Sequence, residues 1–103
     1  DNETLMGFLS SITKAEKKAI RMYLNLDKGV DDETIVKEMI RAAMASTADW
    51  CIIPLQDYLC LDNSARINTP STTGENWRWR VTSDALDKSV RKEMKKLTTI
   101  YYR

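Results

Sequence analysis

The apolar residues in the first half of the chain recur at helical spacing in two stretches. In the first stretch, Thr13 is followed three residues later by Glu16, which is the pattern of a capping box. Gly29 lies beyond it and is a candidate for a left-handed stop. The apolar positions between them share one helical face and are Ala19, Ile20, Tyr23 and Leu24. The pattern predicts an amphipathic helix over about residues 14–27.

In the second stretch, adjacent apolar pairs repeat every four residues. The pairs are Ile35 with Val36, Met39 with Ile40, and Ala43 with Met44. Asp31 and Asp32 precede them, and carboxylates at an N-cap and in a first turn stabilise the start of a helix. We therefore predict a second helix over about residues 32–46, whose methionines fill gaps in the core.

A continuous apolar run then replaces the helical pattern. Its β-branched centre predicts a short strand over about residues 50–55, buried on both faces as in a parallel sheet. Pro54 has no N–H for a sheet ladder, so the strand should end there. Gln56 and Asp57 then emerge just past the carboxyl end of the strand, where α/β proteins keep polar functional groups.

A polar segment separates this run from the end of the chain. Residues 62–76 are rich in Asn, Ser, Thr, Pro and Gly, which is the composition of an irregular surface loop. Loops of this length tend to be functional or disordered. Trp77 and Trp79 follow at alternate positions and bring a large apolar area to one side of an extended segment.

The end of the chain is again helical in pattern. A final helix is predicted over about residues 84–100, with Thr82 or Ser83 as its cap. Its apolar stripe consists of Leu86, Val90, Met94, Leu97 and Tyr101. Taken together, residues 1–103 are predicted to form one unit that is mainly α with at most a short strand, because a single strand has no neighbour to satisfy its backbone groups.

The order of these elements is typical of a slice of a β/α protein and is a poor basis for a self-contained fold. The orphan strand and the apolar helix faces need partners, so the isolated chain is predicted to associate with itself. The first residue is Asp1 and not Met, from which we expect the chain to derive from a longer protein.

Charge and hydropathy narrow the possible partners. Sixteen Lys and Arg against fifteen Asp and Glu give a net charge of +1, without the block of like charges that would attract nucleic acid or an anionic membrane. No apolar stretch approaches the roughly 20 residues that span a bilayer. We therefore predict a soluble, cytoplasmic protein that binds neither nucleic acid nor membrane.

The titratable residues leave few kinds of chemistry open. The chain has no His, which removes imidazole bases and the commonest metal ligand. Cys51 and Cys60 are too few and too widely spaced for a tetrahedral zinc site and are predicted to be a reduced pair. We expect no metal and no cofactor, and carboxylate chemistry is what remains for catalysis.

Three linked motifs in the second half carry a resemblance to a known family. They are Ile-Ile-Pro-Leu-Gln-Asp at residues 52–57, Ala-Arg-Ile-Asn-Thr-Pro at residues 65–70 and Gly-Glu-Asn-Trp-Arg-Trp-Arg at residues 74–80. This block resembles the last block of the amylomaltase (disproportionating enzyme) family of 4-α-glucanotransferases. The start of the chain, Asp1-Asn2 followed by Thr4-Leu5 and Gly7, is similar to the family's His-Asp-Asn motif with the His missing.

The resemblance implies a fold and an activity for a longer parent protein. The family is built on a (β/α)8 TIM barrel, of which this chain would supply the C-terminal β/α segment with the eighth strand. Its enzymes transfer α-1,4-glucan segments between maltooligosaccharides in starch and maltodextrin metabolism by a retaining mechanism. The family's nucleophilic Asp and acid/base Glu match nothing here, so the fragment alone is expected to be inactive.

The resemblance also implies roles for single residues. Asp1 matches the third carboxylate, which binds sugar hydroxyls and stabilises the transition state. Asn68 is expected to contact sugar, since an amide both donates and accepts hydrogen bonds. Gln56 and Asp57 either line the sugar site or tie down the following loop, and both readings stay open. Trp77 is a candidate stacking platform for a glucan, although packing is the more frequent role of such a ring.

The chain departs from the family at positions that are often Gly. Cys60, Asp62, Ser71 and Glu75 stand there, so turns that Gly makes freely are expected to be made by residues with a side chain.

Two alternatives remain at the level of the sequence. An autonomous helical protein-interaction module would explain the amphipathic stripes but not the Ile-Ile-Pro-Leu-Gln-Asp motif. A free-standing carbohydrate-binding module would use Trp77 and Trp79 as stacking platforms.

Overall fold

The computed structural model describes residues 1–103 and is built from helices and turns, with no β-strand. This confirms the prediction of a mainly α chain. The helices are α1 (Leu5–Ser11), α2 (Lys14–Tyr23), α3 (Asp32–Met44), α4 (Leu55–Tyr58) and α5 (Lys88–Ile100), with 3-10 turns at Asn63–Ala65 and Ser83–Ala85. No helix is both long enough and apolar enough to cross a membrane.

α2 begins with the capping box that its sequence indicates. The Glu16 backbone N–H donates to the Thr13 hydroxyl at 3.2 Å, and the Glu16 carboxylate accepts from the Thr13 backbone N–H at 2.8 Å. The helix ends at Tyr23, short of the predicted end near residue 27. Asn25, at φ 56°, takes the left-handed position that the sequence pattern assigned to Gly29, so the expected stop at Gly29 is wrong.

α3 is the central element of the core. Asp31 caps it by accepting from the Thr34 N–H at 2.9 Å, and the helix ends at Met44 rather than near residue 46. Its buried face meets Leu9 of α1 and Leu97 of α5. The buried core cluster consists of Leu9, Ile35, Val36, Ile40, Met44 and Leu97.

The predicted strand over residues 50–55 does not form in this chain. Trp50 and Ile52 are 82% and 81% exposed, so the expectation of burial on both faces is also wrong. The backbone groups of residues 50–53 make no hydrogen bond, because no neighbouring strand is present to accept or donate. Leu55 instead opens the short helix α4, which places Gln56 and Asp57 in its first turn.

α5 begins later than its apolar stripe suggests. Ser83–Ala85 forms a separate 3-10 turn, and Leu86, at ψ 61°, interrupts the helical backbone. Asp87 is the actual N-cap, accepting from the Val90 N–H at 2.9 Å, so neither Thr82 nor Ser83 caps the helix.

The segment over residues 62–76 is irregular apart from its short first turn. Cys60 and Ser71 have φ values of 54° and 63°, so these two positions adopt the left-handed conformation expected from the family's glycines. Asp62, at φ −79°, does not. The Cys60 turn ends α4, with the Leu61 N–H donating to the Gln56 carbonyl at 2.9 Å.

Candidate functional site

The N-terminal motif at Asp1 and the second-half motif that contains Asn68 lie next to each other in the structure. The Asn68 side-chain amide Nδ2 donates a hydrogen bond to the Asp1 carboxylate Oδ1, across 67 positions of sequence. Asp1 is exposed and Asn68 is half-buried. The structure therefore pairs the carboxylate and the amide that the sequence singled out as sugar-contacting residues.

Arg66 lies behind this pair and was not among the predicted site residues. Its Nε donates to the Asn68 carbonyl at 2.8 Å, and its Nη2 donates to the Asp1 carbonyl. Both acceptors are main-chain oxygens, so the guanidinium contacts the backbone that carries the two side chains. No carboxylate pairs with Arg66 within 4.0 Å.

A small cavity of about 160 Å³ opens beside Asp1. Polar and charged side chains dominate its lining, and Ile67 is the single large apolar one. The lining residues are Asp1, Asn2, Glu3, Thr4, Pro54, Gln56, Asp57, Arg66 and Ile67. Carboxylates in such a recess can accept hydrogen bonds from the vicinal hydroxyls of a sugar, and amides can both donate and accept them.

Asp57 lies under the start of α1 and is 6% exposed. Its Oδ1 accepts from the Leu5 backbone N–H at 2.8 Å, which satisfies a donor that the first turn of a helix leaves free. Burial raises the pKa of the Asp57 carboxyl, and the hydrogen bond from Leu5 opposes this rise. Asp57 thus fixes the entry of α1, a few residues after Asp1.

Gln56 is 5% exposed and points toward the loop that carries Asn68. Its Nε2 donates to the Ala65 carbonyl at 3.1 Å. Gln56 and Asp57 both line the cavity, but their observed polar contacts are to protein backbone. Their geometry favours the reading in which they hold the surrounding segments over the reading in which they bind sugar.

Asn63 is a second residue that the sequence pattern did not single out. Its Oδ1 accepts from the Thr4 N–H at 3.1 Å, and its Nδ2 donates to Glu3 at 3.1 Å. The Thr4 hydroxyl in turn caps α1 by accepting from the Gly7 N–H at 3.1 Å. Asn63 therefore fastens the segment after Asp1 to the loop before Asn68.

Trp77 does not line this cavity and is 67% exposed. Its backbone N–H donates to the Ile67 carbonyl at 2.6 Å, at a φ of 64°. The Asn76 Oδ1 accepts from the Thr69 N–H at 2.8 Å. These bonds close the loop on itself, and the indole ring lies at the surface.

Comparison with known proteins agrees with the resemblance. A sequence model of the family Glyco_hydro_77, described as 4-alpha-glucanotransferase, matches residues 1–86. The 4-alpha-glucanotransferase of Streptococcus pneumoniae is 39% identical over 104 aligned residues, which cover 100% of this chain and 20% of that protein. The chloroplastic/amyloplastic 4-alpha-glucanotransferase of Arabidopsis thaliana is 45% identical over 83 residues, covering 81% of this chain and 14% of that protein.

A solved structure matches the fold over the whole chain. The amylomaltase from Streptococcus agalactiae, in complex with acarbose, superposes with a TM-score of 0.90 at 29% identity, covering 100% of this chain and 20% of that one. The fold and site thus define a segment with the architecture of part of an amylomaltase. More particularly, the chain belongs to the 4-alpha-glucanotransferase family. It spans about a fifth of the length of the relatives that it matches over its full length.

Proposed function

We propose that the longer protein containing this segment is a 4-α-glucanotransferase that transfers α-1,4-glucan segments between maltooligosaccharides. The observation that carries the proposal is the hydrogen bond from Asn68 to the Asp1 carboxylate, which unites two family motifs 67 positions apart. The relatives named 4-alpha-glucanotransferase that match the chain over its full length support this reading. They do not favour an autonomous interaction module or a free-standing carbohydrate-binding module.

The proposed mechanism is retaining transfer. It needs a nucleophilic carboxylate and an acid about 5–5.5 Å apart, with a sugar hydroxyl intercepting the covalent intermediate. We place both of these groups on the remainder of the longer protein, so the isolated segment has no activity. Asp1 is the third carboxylate of this proposal, binding sugar hydroxyls where positive charge develops, and the Asn68 amide both orients it and contacts the sugar.

We further propose that residues 50–54 form a strand of a (β/α)8 barrel in the longer protein, with this chain as its C-terminal segment. The hydrogen-bonding groups of residues 50–53 are unused here, and the side chains of Trp50 and Ile52 are exposed. Adjacent strands would pair with these backbone groups and cover the two exposed side chains. The polar side chains of Gln56 and Asp57 would then follow the carboxyl end of that strand.

Three residues have secondary roles in the proposal. Gln56 and Asp57 support the site by holding the Ala65 carbonyl and the Leu5 N–H, respectively. The exposed ring of Trp77 supplies a stacking surface for a glucan chain beyond Asn68.

The proposal is tested by assaying the longer protein with maltotriose. We expect release of glucose together with longer maltooligosaccharides, because transfer to a second maltotriose leaves glucose behind. The Asp1→Asn variant should lose at least about 100-fold in kcat, since a group that stabilises transition-state charge contributes on that order. Asp27→Asn is the matched control, because Asp27 is an exposed carboxylate in the turn after α2. An inactive longer protein, or an Asp1→Asn variant with wild-type kcat, would overturn the proposal.

The partners of the isolated chain follow from the same reading. We propose that it associates with itself through the surface that includes Trp50 and Ile52, and that it binds neither nucleic acid nor membrane, in keeping with its net charge of +1.

Cys51 and Cys60 are both free thiols, which supports a reducing, cytoplasmic location for the longer protein. The plant relatives are named chloroplastic/amyloplastic, so the compartment differs among family members.

A further inference from the structure

We infer that Arg66 is a positioning residue of the candidate site, and that it sets the distance between Asp1 and Asn68 by holding the main chain of both. The inference rests on the proposed function, because the activity through which it is observed is glucan transfer. The Arg66 side chain contacts main-chain carbonyls and does not itself contact the sugar.

The geometry of the guanidinium carries the inference. Nε donates to the Asn68 carbonyl at 2.8 Å, and Nη2 donates to the Asp1 carbonyl. The side chain therefore bridges two segments 65 positions apart. The Asp1 carbonyl belongs to the peptide bond with Asn2, so this acceptor exists wherever the preceding chain leads.

The two hydrogen bonds that Arg66 donates leave the Asp1 carboxylate free to bind a ligand. Because Arg66 uses carbonyl oxygens, the Asp1 carboxylate receives its hydrogen bond from Asn68 and keeps its remaining lone pairs for a ligand. Had Arg66 paired directly with the carboxylate, a bidentate contact would have occupied both oxygens. The arrangement orients Asp1 without neutralising it.

The planar shape of the guanidinium explains why Arg stands here. Nε and Nη2 are rigidly joined and point toward two acceptors at once, so one side chain fixes both segments. A Lys at this position offers one nitrogen on a flexible stem, and a Met of similar length offers no donor. The two substitutions therefore form a graded series in the number of bridges retained.

The other polar contacts between these segments are independent of Arg66. Asn63 holds Thr4, and Asp57 holds Leu5, at 3.1 and 2.8 Å. Removing the guanidinium leaves these contacts in place, so the fold at the start of α1 should persist. What changes is the position of Asp1 relative to Asn68, because the neighbours of Asn68 stay bonded to Asn76 and Trp77 while Asp1 lies beyond the last attachment of its own segment.

The experiment uses the longer protein and measures kcat and KM for maltotriose in Arg66→Lys and Arg66→Met, with thermal midpoints for each. We expect Arg66→Met to lower kcat by about 10- to 100-fold with a smaller change in KM, because misplacement affects the step in which Asp1 acts. Arg66→Lys should fall between Arg66→Met and the wild type. In an Asp1→Asn background, Arg66→Met should lower the residual kcat by less than threefold.

Each outcome bears on one claim. Wild-type kcat in Arg66→Met, or an equal further loss in the Asp1→Asn background, overturns the positioning role while glucan transfer itself stands. Loss of the proposed function would appear differently, as absent transfer in the wild type or full activity in Asp1→Asn. If Arg66→Met does not fold, Arg66→Lys decides the matter: a kcat at least threefold below the wild type supports the role, and an unchanged kcat overturns it.

Discussion

Gly7 is a position where the absence of a side chain permits a close approach. A Cβ built there would lie 2.2 Å from the Asn63 Cγ and Oδ1, so Asn63 would have to leave its place against Thr4 and Glu3. We predict that Gly7→Ala destabilises the chain by about 1–3 kcal/mol, the usual range for overpacking of a filled site. Denaturant unfolding monitored by circular dichroism measures the difference.

Gly29→Ala is the matched control for this prediction. Nothing lies within 4 Å of a Cβ at Gly29. The substitution should be neutral or slightly stabilising, by up to about 1 kcal/mol, because Ala restricts the unfolded chain more than Gly does. Equal losses in the two variants would contradict the close contact with Asn63.

The buried Asp57 carboxyl gives stability a local pH dependence. Its pKa is raised above the ordinary value of 3.8, so the folded state binds the proton of the Asp57 carboxyl more tightly than the unfolded state does. The stability that it contributes is present at low pH and is lost as the pH rises through the raised pKa. We predict that Asp57→Asn gains in thermal midpoint relative to the wild type as the pH rises from below 3.8 through the raised pKa of Asp57.

Asp62→Asn supplies a control of opposite sign. Hydrogen bonds from Ser64 hold the pKa of the Asp62 carboxyl below its ordinary value, so its contribution is present at neutral pH and is lost as the pH falls through the lowered pKa. The thermal midpoint of the wild type should therefore rise relative to that of Asp62→Asn as the pH rises. A difference between wild type and Asp57→Asn that stays constant with pH would refute the argument from burial.

Only part of the site was accessible from the residues alone. Asp1 and Asn68 were found through the motifs that surround them, and the structure brings them into contact. Arg66 links the nearby Asn68 carbonyl to the Asp1 carbonyl 65 positions away. Asn63 contacts the Thr4 N–H and the Glu3 side chain, 59 and 60 positions away. A single sequence carries no signal for such non-local pairings, because the type of the partner residue does not matter when its backbone is the acceptor.

At the scale of elements, α2 has no fully buried residue and packs against the core through partly buried side chains such as Ile20, so its capping box should contribute measurably to stability. We predict that Thr13→Ala destabilises the chain by about 1 kcal/mol, because the Glu16 N–H loses its acceptor. Thr99→Ala on the exposed face of α5 is the control and should be neutral or slightly stabilising, since Ala is the better helix former. Loss of helical circular dichroism on heating measures both, and equal effects would show that the cap contributes nothing.

The helices that the sequence predicted are those whose caps and apolar stripes are local, and the elements that it did not predict depend on distant residues. α3 was located well because Asp31 and a regular apolar stripe agree. α1 was missed because its seven residues contain too little periodicity, and its start is fixed by Asp57, 52 positions away. The strand was predicted from a buried-strand pattern, but strand formation depends on neighbours that this chain does not contain. α4 instead begins directly after Pro54.

At the scale of the whole molecule, Trp50, Ile52 and Tyr102 form an exposed apolar surface, and such surfaces often mark sites of association. We predict that the isolated chain sediments as a monomer at low concentration and as larger species as concentration rises. Replacing Ile52 by Thr should shift this equilibrium toward monomer, because it removes apolar area from the surface and the backbone edge beside it stays the same.

Met22→Thr is the matched control, since Met22 is also exposed but lies on α2, away from this surface. It should leave the sedimentation profile unchanged. A monomer at every concentration, or the same shift in both variants, would count against self-association through this surface.

The hydrogen bonds that join residues 1–5 to residues 57–68 also bear on the order in which the chain folds. They connect positions 52 to 67 apart, whereas α2 and α3 each form from neighbouring residues. Closing so long a stretch of chain is entropically unfavourable, so contacts of this range form after local ones. We therefore expect the pairing of Asp1 with Asn68, and the start of α1 that Asp57 fixes, to form after α2 and α3 have formed.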